Sequence, residues 1–224
     1  MTEGAPVLSV RDLHFPALPP MTFDIRRGEI AFLRDENYNT GRRLHECFLG
    51  DRGWTSGFFR LNGRLYQPGD LGRVIGSEIG IQIERPDRPG GVLFDNMTAL
   101  DNLCTSLIPK AGQHIIRKKI VSSILSEALR WFPKEMLLQP LSSWSYPERL
   151  RFSYYRWYLL NPRLLICFFP FAGQESTHHN MIIDLLVLCA QRGMAVWIIS
   201  SGIDAICEKT DNEEFLRRLH YLNK

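Results

Sequence analysis

The alternation of apolar and polar residues predicts a short antiparallel unit at the start of the chain. Val7 to Leu13 alternates with the period of a half-buried strand, and Met21 to Ile25 repeats the pattern. Arg26 to Gly28 forms the turn into a third strand, Glu29 to Leu33. Phe58 to Leu61, flanked by glycine-containing turns, reads as a further antiparallel strand.

Apolar runs later in the chain predict strands that are buried on both faces. Arg163 to Phe169 has strand length without alternation, which is typical of a parallel sheet. Ile79 to Ile83 and Ala195 to Ile199 are read as further strands of the core. The last segment, Phe215 to His220, fits either a strand or a helix.

Helical spacing and capping residues predict the helices. Apolar positions between Gln113 and Trp131 fall near one stripe, and Glu175 to Gln191 forms another long helix. Ser142 to Ser145 supply capping hydroxyls for a helix over Arg149 to Leu160, with a proline in its first turn. Asn161-Pro162 ends this helix, because the residue before proline is pushed out of the helical region.

Composition narrows the function classes. The chain has 224 residues, 45% of them hydrophobic, which suffices for one domain with a substantial core. A net charge of +3 does not indicate a nucleic-acid partner. No apolar run is long enough for a membrane span, and the N-terminus lacks the pattern of a signal peptide. We expect the five cysteines to be buried thiols in a reducing cytoplasm, rather than disulfides or zinc ligands.

The stretch from Gln139 to Phe171 carries a resemblance to a known family. It contains Gln-Pro, a signature-like segment, a helix with Arg-Trp, Asn161-Pro162 and an apolar strand followed by Pro170. This order resembles the ATP-binding subunit of ABC transporters, and the sugar-importer branch is the nearest match. An ungapped register places Trp144 to Glu148 on the family's LSGGQ signature and Phe168-Phe169-Pro170 on its Asp-Glu-Pro.

The resemblance covers about residues 7 to 212 and implies the fold. We expect an α/β protein with the P-loop NTPase-like fold of ABC ATPases: a parallel core sheet, an antiparallel β-subdomain and a helical subdomain. The chain would form one domain over residues 1–224, with the helical subdomain at about residues 84–155.

The glycine-rich phosphate loop of the family, GxxxxGK[ST], is replaced here. That loop works because glycines adopt positive φ, so that several amides point at one phosphate. The register places Asp35, Tyr38 and Thr40 on the glycines, Gly41 on the lysine and Arg42 on the Ser/Thr, whereas a one-residue slip places Gly41-Arg42 on Gly-Lys. Asp35 and Glu36 bring negative charge to a phosphate site. Arg42 and Arg43 either offset this charge or are solvated helix residues.

The other nucleotide motifs are also altered. The family's Asp orients the magnesium shell and its Glu positions or activates water, and Phe168 and Phe169 can do neither. Ser145 is the one retained signature residue. Glu84 resembles a sugar-importer variant of the loop that contacts the γ-phosphate, and an aromatic such as Phe15 could stack on adenine or belong to the core.

We therefore expect a degenerate, non-hydrolysing (pseudo-ATPase) domain that is a structural or regulatory partner of a sugar-type ABC importer. No catalytic or metal-binding residue is predicted, and the cofactor is either none or ATP without hydrolysis. The partners would be an ABC permease, an intact ABC ATPase subunit, or both, in a homo- or heterodimer at the inner face of the membrane. The vestigial nucleotide-binding residues would be Thr40, Gly41, Arg42, Arg43, Glu84 and Ser145.

Two alternatives remain open. One is an interaction or regulatory module without nucleotide binding, which could contact its partner through the aromatic run Tyr154 to Tyr158, although burial of at least half of that run is expected. The other is an active ATPase with relocated groups, which requires a new carboxylate near Phe169, and Glu175 is the candidate.

Overall fold

A computed structural model describes residues 4–51, 53–84, 93–111, 118–172 and 176–222. Its strands are β1 Leu8–His14, β2 Met21–Ile25, β3 Ile30–Arg34, β4 Ser56–Leu61, β5 Arg64–Tyr66, β6 Ile79–Ile83, β7 Leu164–Phe168, β8 Ala195–Ser200 and β9 Leu219–Tyr221. Its α-helices are α1 Asn39–Leu49, α2 Ala99–Ala111, α3 Lys118–Ala128, α4 Lys134–Leu137, α5 Tyr146–Leu160, α6 Ser176–Gln191, α7 Ile203–Cys207 and α8 Glu213–Arg218. Pro68–Arg73 and Leu141–Ser143 are short 3-10 helices.

The strands form two sheets. The antiparallel sheet has the order β2-β1-β4-β5, and the five-stranded sheet has the order β6-β7-β8-β3-β9 with parallel pairing throughout. Since all strands of the second sheet run the same way, the loops after β3, β6, β7 and β8 meet at one edge.

The parallel sheet is buried on both faces, as its unbroken apolar runs predict. One face packs against the antiparallel sheet and α1, with Ile166, Phe168 and Trp197 contributing to this cluster. The other face packs against α5 and α6, and Leu165 and Ile198 point into this second cluster. The two-layer burial explains why these strands show no polar alternation.

A third hydrophobic cluster lies among the helices α2, α3, α4 and α5. Its centre is aromatic, with Phe132, Trp144, Phe152 and Tyr155 buried together. Part of the predicted helix from Gln113 to Trp131 lies outside the described residues, and α3 covers the described part. The separate core is consistent with a helical subdomain, whose limits at residues 84–155 remain our prediction.

Several sequence-based expectations are confirmed. β6 and β2 occupy the predicted residues, and the α/β class with one parallel and one antiparallel sheet is as expected. Phe15 is 1% exposed and belongs to the core. All five cysteines are free, and only Cys207 is not fully buried. Among the described residues, no helix is long and apolar enough to cross a membrane.

Candidate functional site

The site predicted from the sequence lies at the carboxyl edge of the parallel sheet, where ligands of open α/β sheets bind. The loop after β3 is tied to β8 there, because the Asp35 amide donates to the Ser200 carbonyl at 2.9 Å. The residue after β7 is tied to the same strand through the Phe169 amide, which donates to the Ile199 carbonyl at 2.9 Å. The loop after β3 and the residues after β7, which the resemblance aligns with the phosphate loop and the Asp-Glu pair, are therefore neighbours.

Asp35 occupies the N-terminus of α1 with its own carboxylate. The side chain is 5% exposed, and its two oxygens accept hydrogen bonds from the amides of Thr40 at 3.2 Å and Gly41 at 2.7 Å. The amides at a helix N-terminus are the groups that bind phosphate in nucleotide loops, because they point outward and carry the positive end of the helix dipole. Here an internal anion already occupies them.

Phe169 closes the same place from the other side. Its ring lies over Gly41, so close that a Cβ at position 41 would be 2.5 Å from the ring. The ring also packs edge-on against Tyr38, with 4.8 Å between the centroids. The space beside the first turn of α1 is therefore filled by a phenyl ring, and the glycine is required there for close approach.

Phe168 is buried at the end of β7 and contacts the ring of His45 with 5.5 Å between centroids. With Phe169 next to it, the strand end presents two hydrocarbon rings and no oxygen ligand. Within the described part of the chain, no group of three or more His, Cys, Asp or Glu side chains could hold a metal ion.

The two arginines of α1 are directed to their own helix. The guanidinium of Arg43 lies 3.3 Å from the Glu46 carboxylate, and that of Arg42, 63% exposed, lies 3.9 Å from it. Neither guanidinium forms an ion pair with Asp35; both pair with Glu46. Arg42 is therefore a largely exposed helix residue, whereas the Arg43 side chain is only 25% exposed and pairs within the helix.

Glu84 is buried at the end of β6, 2% exposed, and its amide donates to the Phe168 carbonyl at 3.1 Å. Gln82, also on β6, donates to the Glu84 carboxylate at 2.6 Å and to the Ser153 hydroxyl at 3.1 Å. Its own carbonyl accepts from the indole of Trp157 at 2.8 Å. The Glu84 carboxylate thus belongs to a buried polar network that joins β6 to α5.

Burial around this network shifts the pKa values of three neighbouring side chains, those of Tyr154, Cys167 and Arg156. Burial, with a smaller contribution from the Glu84 charge, raises the pKa of the Tyr154 phenol well above its ordinary value. Burial together with the charges of Cys189 and Glu84 raises the pKa of the Cys167 thiol in the same direction. Burial lowers the pKa of Arg156 to about 10, so that this guanidinium over the Trp157 ring stays charged at neutral pH.

Ser145 lies at the exposed N-terminus of α5 and makes its side-chain hydrogen bond within that helix. Its hydroxyl and its amide both donate to Glu148, at 2.6 and 2.8 Å. The capping role predicted from Ser142 to Ser145 falls on Ser145, and α5 begins at Tyr146, with Pro147 in its first turn. The structure does not bring Ser145 into contact with the loop after β3.

The two alternative functions depend on the aromatic run of α5 and on Glu175. Most of the aromatic run in α5 is buried, namely Tyr154, Tyr155 and Trp157, so it does not form an exposed contact surface. Glu175 and residues 85–92 lie outside the described residues. From the sequence, Asp35 is only an unfavourable charge at a phosphate site, whereas in the structure its carboxylate caps the first turn of α1.

Comparison with known proteins places this geometry in context. No family model matches the chain. It is 26% identical over 212 residues to a ribose/galactose/methyl galactoside import ATP-binding protein of Pseudomonas syringae pv. tomato, covering 93% of this chain and 40% of that protein. The galactofuranose transporter ATP-binding protein of Escherichia coli K12 is 23% identical over 202 residues, covering 90% and 39%. The chain spans about two fifths of the length of these relatives.

Solved ABC cassettes share the fold. CbiO1 of Clostridium perfringens, part of an ABC transporter complex, matches with a TM-score of 0.72 at 20% identity. The match covers 96% of this chain and 84% of the CbiO1 chain. A dimeric ATP-binding cassette with bound ADP and Pi has a TM-score of 0.67 at 16% identity, covering 96% and 94%. The resemblance seen in the sequence is thus confirmed: the chain has the fold of the ABC transporter ATP-binding cassette, and the two relatives named here are ATP-binding proteins of sugar transport.

Proposed function

We propose that this chain is a non-hydrolysing cassette, a pseudo-ATPase, that is a structural or regulatory partner in a sugar-type ABC importer. The observation that carries the proposal is the Asp35 carboxylate on the amides of Thr40 and Gly41. A bound nucleotide phosphate would need these amides as hydrogen-bond donors, and in this chain they donate to the Asp35 carboxylate instead.

Electrostatics favours exclusion of phosphate over a shared site. A phosphate oxygen about 4 Å from a carboxylate meets a repulsion of about 4 kcal/mol per unit charge at an effective dielectric constant of about 20. Among the charged groups described, the two arginines of α1 are paired with Glu46 and do not offset this repulsion. The Phe169 ring over Gly41 adds a steric obstacle at the same place.

The two side chains at the end of β7, Phe168 and Phe169, provide no group that could take part in ATP hydrolysis. Phosphoryl transfer needs groups that hold magnesium and orient the attacking water. Phe168 and Phe169 stand where the family's acidic pair is expected, and phenyl rings accept no proton and bind no hard cation. Loss of both functions lowers turnover by orders of magnitude in any cassette.

The partners follow from the relatives. The relatives named above are an import ATP-binding protein and a transporter ATP-binding protein, both more than twice as long as this chain, and a solved neighbour is dimeric. The chain would pair with an intact ABC ATPase subunit, a permease, or a second copy of itself, on the cytoplasmic side of the membrane. The single domain 1–224, with its helical subdomain at about residues 84–155, would supply the cassette geometry without ATP turnover.

A second candidate is a regulatory module that has left transport. It is favoured by the contacts of Asp35 and Phe169 with the first turn of α1, which hold both loops from within the chain. The two candidates share the closed site and differ in the partner, so co-purification with an importer permease would select the first.

The experiment that tests the proposal is phosphate release from MgATP by the purified full chain. We expect no release above that of a buffer control at millimolar MgATP. Release that is abolished by Glu175→Gln but unaffected by Glu36→Gln would contradict the proposal, because it would identify an active ATPase with a relocated carboxylate.

A further inference from the structure

A cavity of about 230 Å³ lies at the end of β8, between the segment that follows β7, the helix α6 and the helix α7. Its lining includes Phe171, Ala172, Ser200, Ser201, Ile206 and Lys209. It is smaller than the roughly 300–1,000 Å³ of sites for drug-sized ligands, so it fits a ligand of only a few carbon atoms. The proposed function makes no use of this cavity.

The alternation of side chains along β8 shows on which face of the parallel sheet the cavity lies. Trp197 and Ile199 belong to the cluster beside the antiparallel sheet and α1. Val196 and Ile198 belong to the cluster beside α5 and α6. Ser200 continues the second set, so its hydroxyl is directed toward α6 and into the cavity. The cavity is therefore on the opposite face of the sheet from α1 and its cap.

The Ser200 hydroxyl is a buried polar group that needs a partner. The residue is 2% exposed, and its hydroxyl makes no hydrogen bond within the part of the chain that the structure describes. Nearly all buried hydroxyls in folded proteins have a partner, because an unpaired one loses its contact with water and gains nothing in return. The cavity is the space from which a ligand atom can reach this hydroxyl.

The charged group at the cavity is a cation. Lys209 lies just after α7 and is exposed, and its ammonium forms no ion pair with any residue that the structure describes. Among the described lining residues there is no Asp or Glu. The rest of the lining is largely apolar, and the ring of Phe171 packs edge-on against His179 with 5.5 Å between the centroids. These features favour a ligand with one anionic end and a hydrocarbon body.

From these observations we infer that the cavity binds a short-chain aliphatic monocarboxylate. Its carboxylate accepts a hydrogen bond from the Ser200 hydroxyl and is attracted by the Lys209 ammonium. Its alkyl chain packs against Phe171 and Ile206. The inference goes beyond the proposed function and does not depend on it, since the cavity and the Asp35 cap lie on opposite faces of the sheet.

Butyrate is the probe, titrated into the full chain and followed by amide NMR, with butyramide as the neutral isostere and inorganic phosphate as an anion without a hydrocarbon body. We expect saturable butyrate binding, at least about fivefold tighter than that of butyramide. The shifted amides should concentrate at residues 171–172 and 200–209. No saturable butyrate binding, equal affinity for butyramide, or tighter binding of phosphate would each overturn the inference. None of these results bears on the non-hydrolysing role, which phosphate release from MgATP tests.

A serine variant locates the carboxylate. Ser200→Ala should weaken butyrate binding at least about fivefold, whereas Ser142→Ala at an exposed position should leave it unchanged. Since the Ser200 hydroxyl has no partner in the free protein, Ser200→Ala should not lower the melting temperature, and lost binding then cannot reflect unfolding. Equal butyrate affinity in Ser200→Ala would overturn the assignment.

A lysine variant tests the charge. Lys209→Gln should weaken butyrate binding at least about threefold and leave butyramide binding unchanged, because only the charged ligand is attracted by the ammonium. Lys134→Gln, at an exposed position of α4, is the matched control and should change neither affinity. An unchanged ratio of the two affinities in Lys209→Gln would overturn the assignment of an anionic ligand.

Discussion

Two residues other than glycine adopt left-handed backbone conformations in the loops after β3 and β7. Tyr38 has φ of 57° and Phe169 has φ of 53°, and their rings pack on each other. Each such conformation costs on the order of 1 kcal/mol, so it persists where packing compensates. The ring contact therefore holds both loops in the closed arrangement, together with the Asp35 cap.

The contact between Gly41 and Phe169 gives a prediction at this scale. Gly41→Ala should destabilise the protein by about 1–3 kcal/mol, because its Cβ would overlap the Phe169 ring. In a Phe169→Ala background the same substitution should be neutral or stabilising, since alanine is the better helix residue. Urea unfolding of the four proteins measures this coupling.

Gly72 provides the control, because a Cβ there meets nothing within 4 Å. Gly72→Ala should change stability by less than about 0.5 kcal/mol in either background. Equal effects of Gly41→Ala with and without the Phe169 ring would show that the ring does not occupy this space.

The Asp35 cap gives a second prediction. Asp35→Ala removes the acceptor for two helix amides and should cost about 1–2 kcal/mol. Added sulfate should stabilise this variant more than the wild type, because the anion can take the vacated amides. Glu36→Ala, whose side chain is 68% exposed, serves as the control with little effect. An equal response to sulfate in all three proteins, measured by thermal melts, would refute a cap by Asp35.

At the scale of elements, the polar network around Gln82 couples β6 to α5. Gln82→Leu keeps the volume but leaves the Trp157 indole and the Glu84 carboxylate without this partner in the core. We expect a loss of about 2–4 kcal/mol in the free energy of unfolding. The exposed Gln191→Leu at the end of α6 should change it by less than about 0.5 kcal/mol, and a similar loss in both would show that the network contributes little.

Most elements of the fold could be predicted from the sequence, because their signals are local. Met21 to Ile25 alternates and forms β2, and Asn161 ends α5 in a left-handed conformation before proline. The end of the chain could not be assigned, since α8 and β9 divide Phe215 to His220 between a helix and a strand. β9 is a strand because it pairs with β3, a contact between residues nearly 190 positions apart.

The site was less predictable than the fold. The two phenyl rings at the end of β7 are readable from the sequence, because Phe168 and Phe169 stand between Asn161-Pro162 and Pro170. The role of the Asp35 carboxylate is not readable from the sequence. A buried carboxylate can either repel a bound phosphate or cap a helix, and only its hydrogen bonds to the amides of Thr40 and Gly41 distinguish the two roles. Likewise, the orientation of the Arg42 and Arg43 side chains depends on their ion pairs with Glu46, about one helix turn further on.

At the scale of the whole molecule, the chain has the cassette fold, while the amides of Thr40 and Gly41 at the start of α1 donate to the Asp35 carboxylate of the same chain. The parallel sheet and its two covering layers do not depend on the closed loops, so the fold can persist while the site changes. Under the proposed function, such a cassette would contribute its geometry to an assembly, and an intact partner would carry out the ATP turnover.

The measurement that tests this account most directly is calorimetric titration of the full chain with MgATP at neutral pH and physiological salt. The account predicts no binding heat up to millimolar nucleotide, because the Asp35 carboxylate and the Phe169 ring occupy the phosphate position. Micromolar binding of MgATP would contradict it and would mean that the loop opens to admit phosphate.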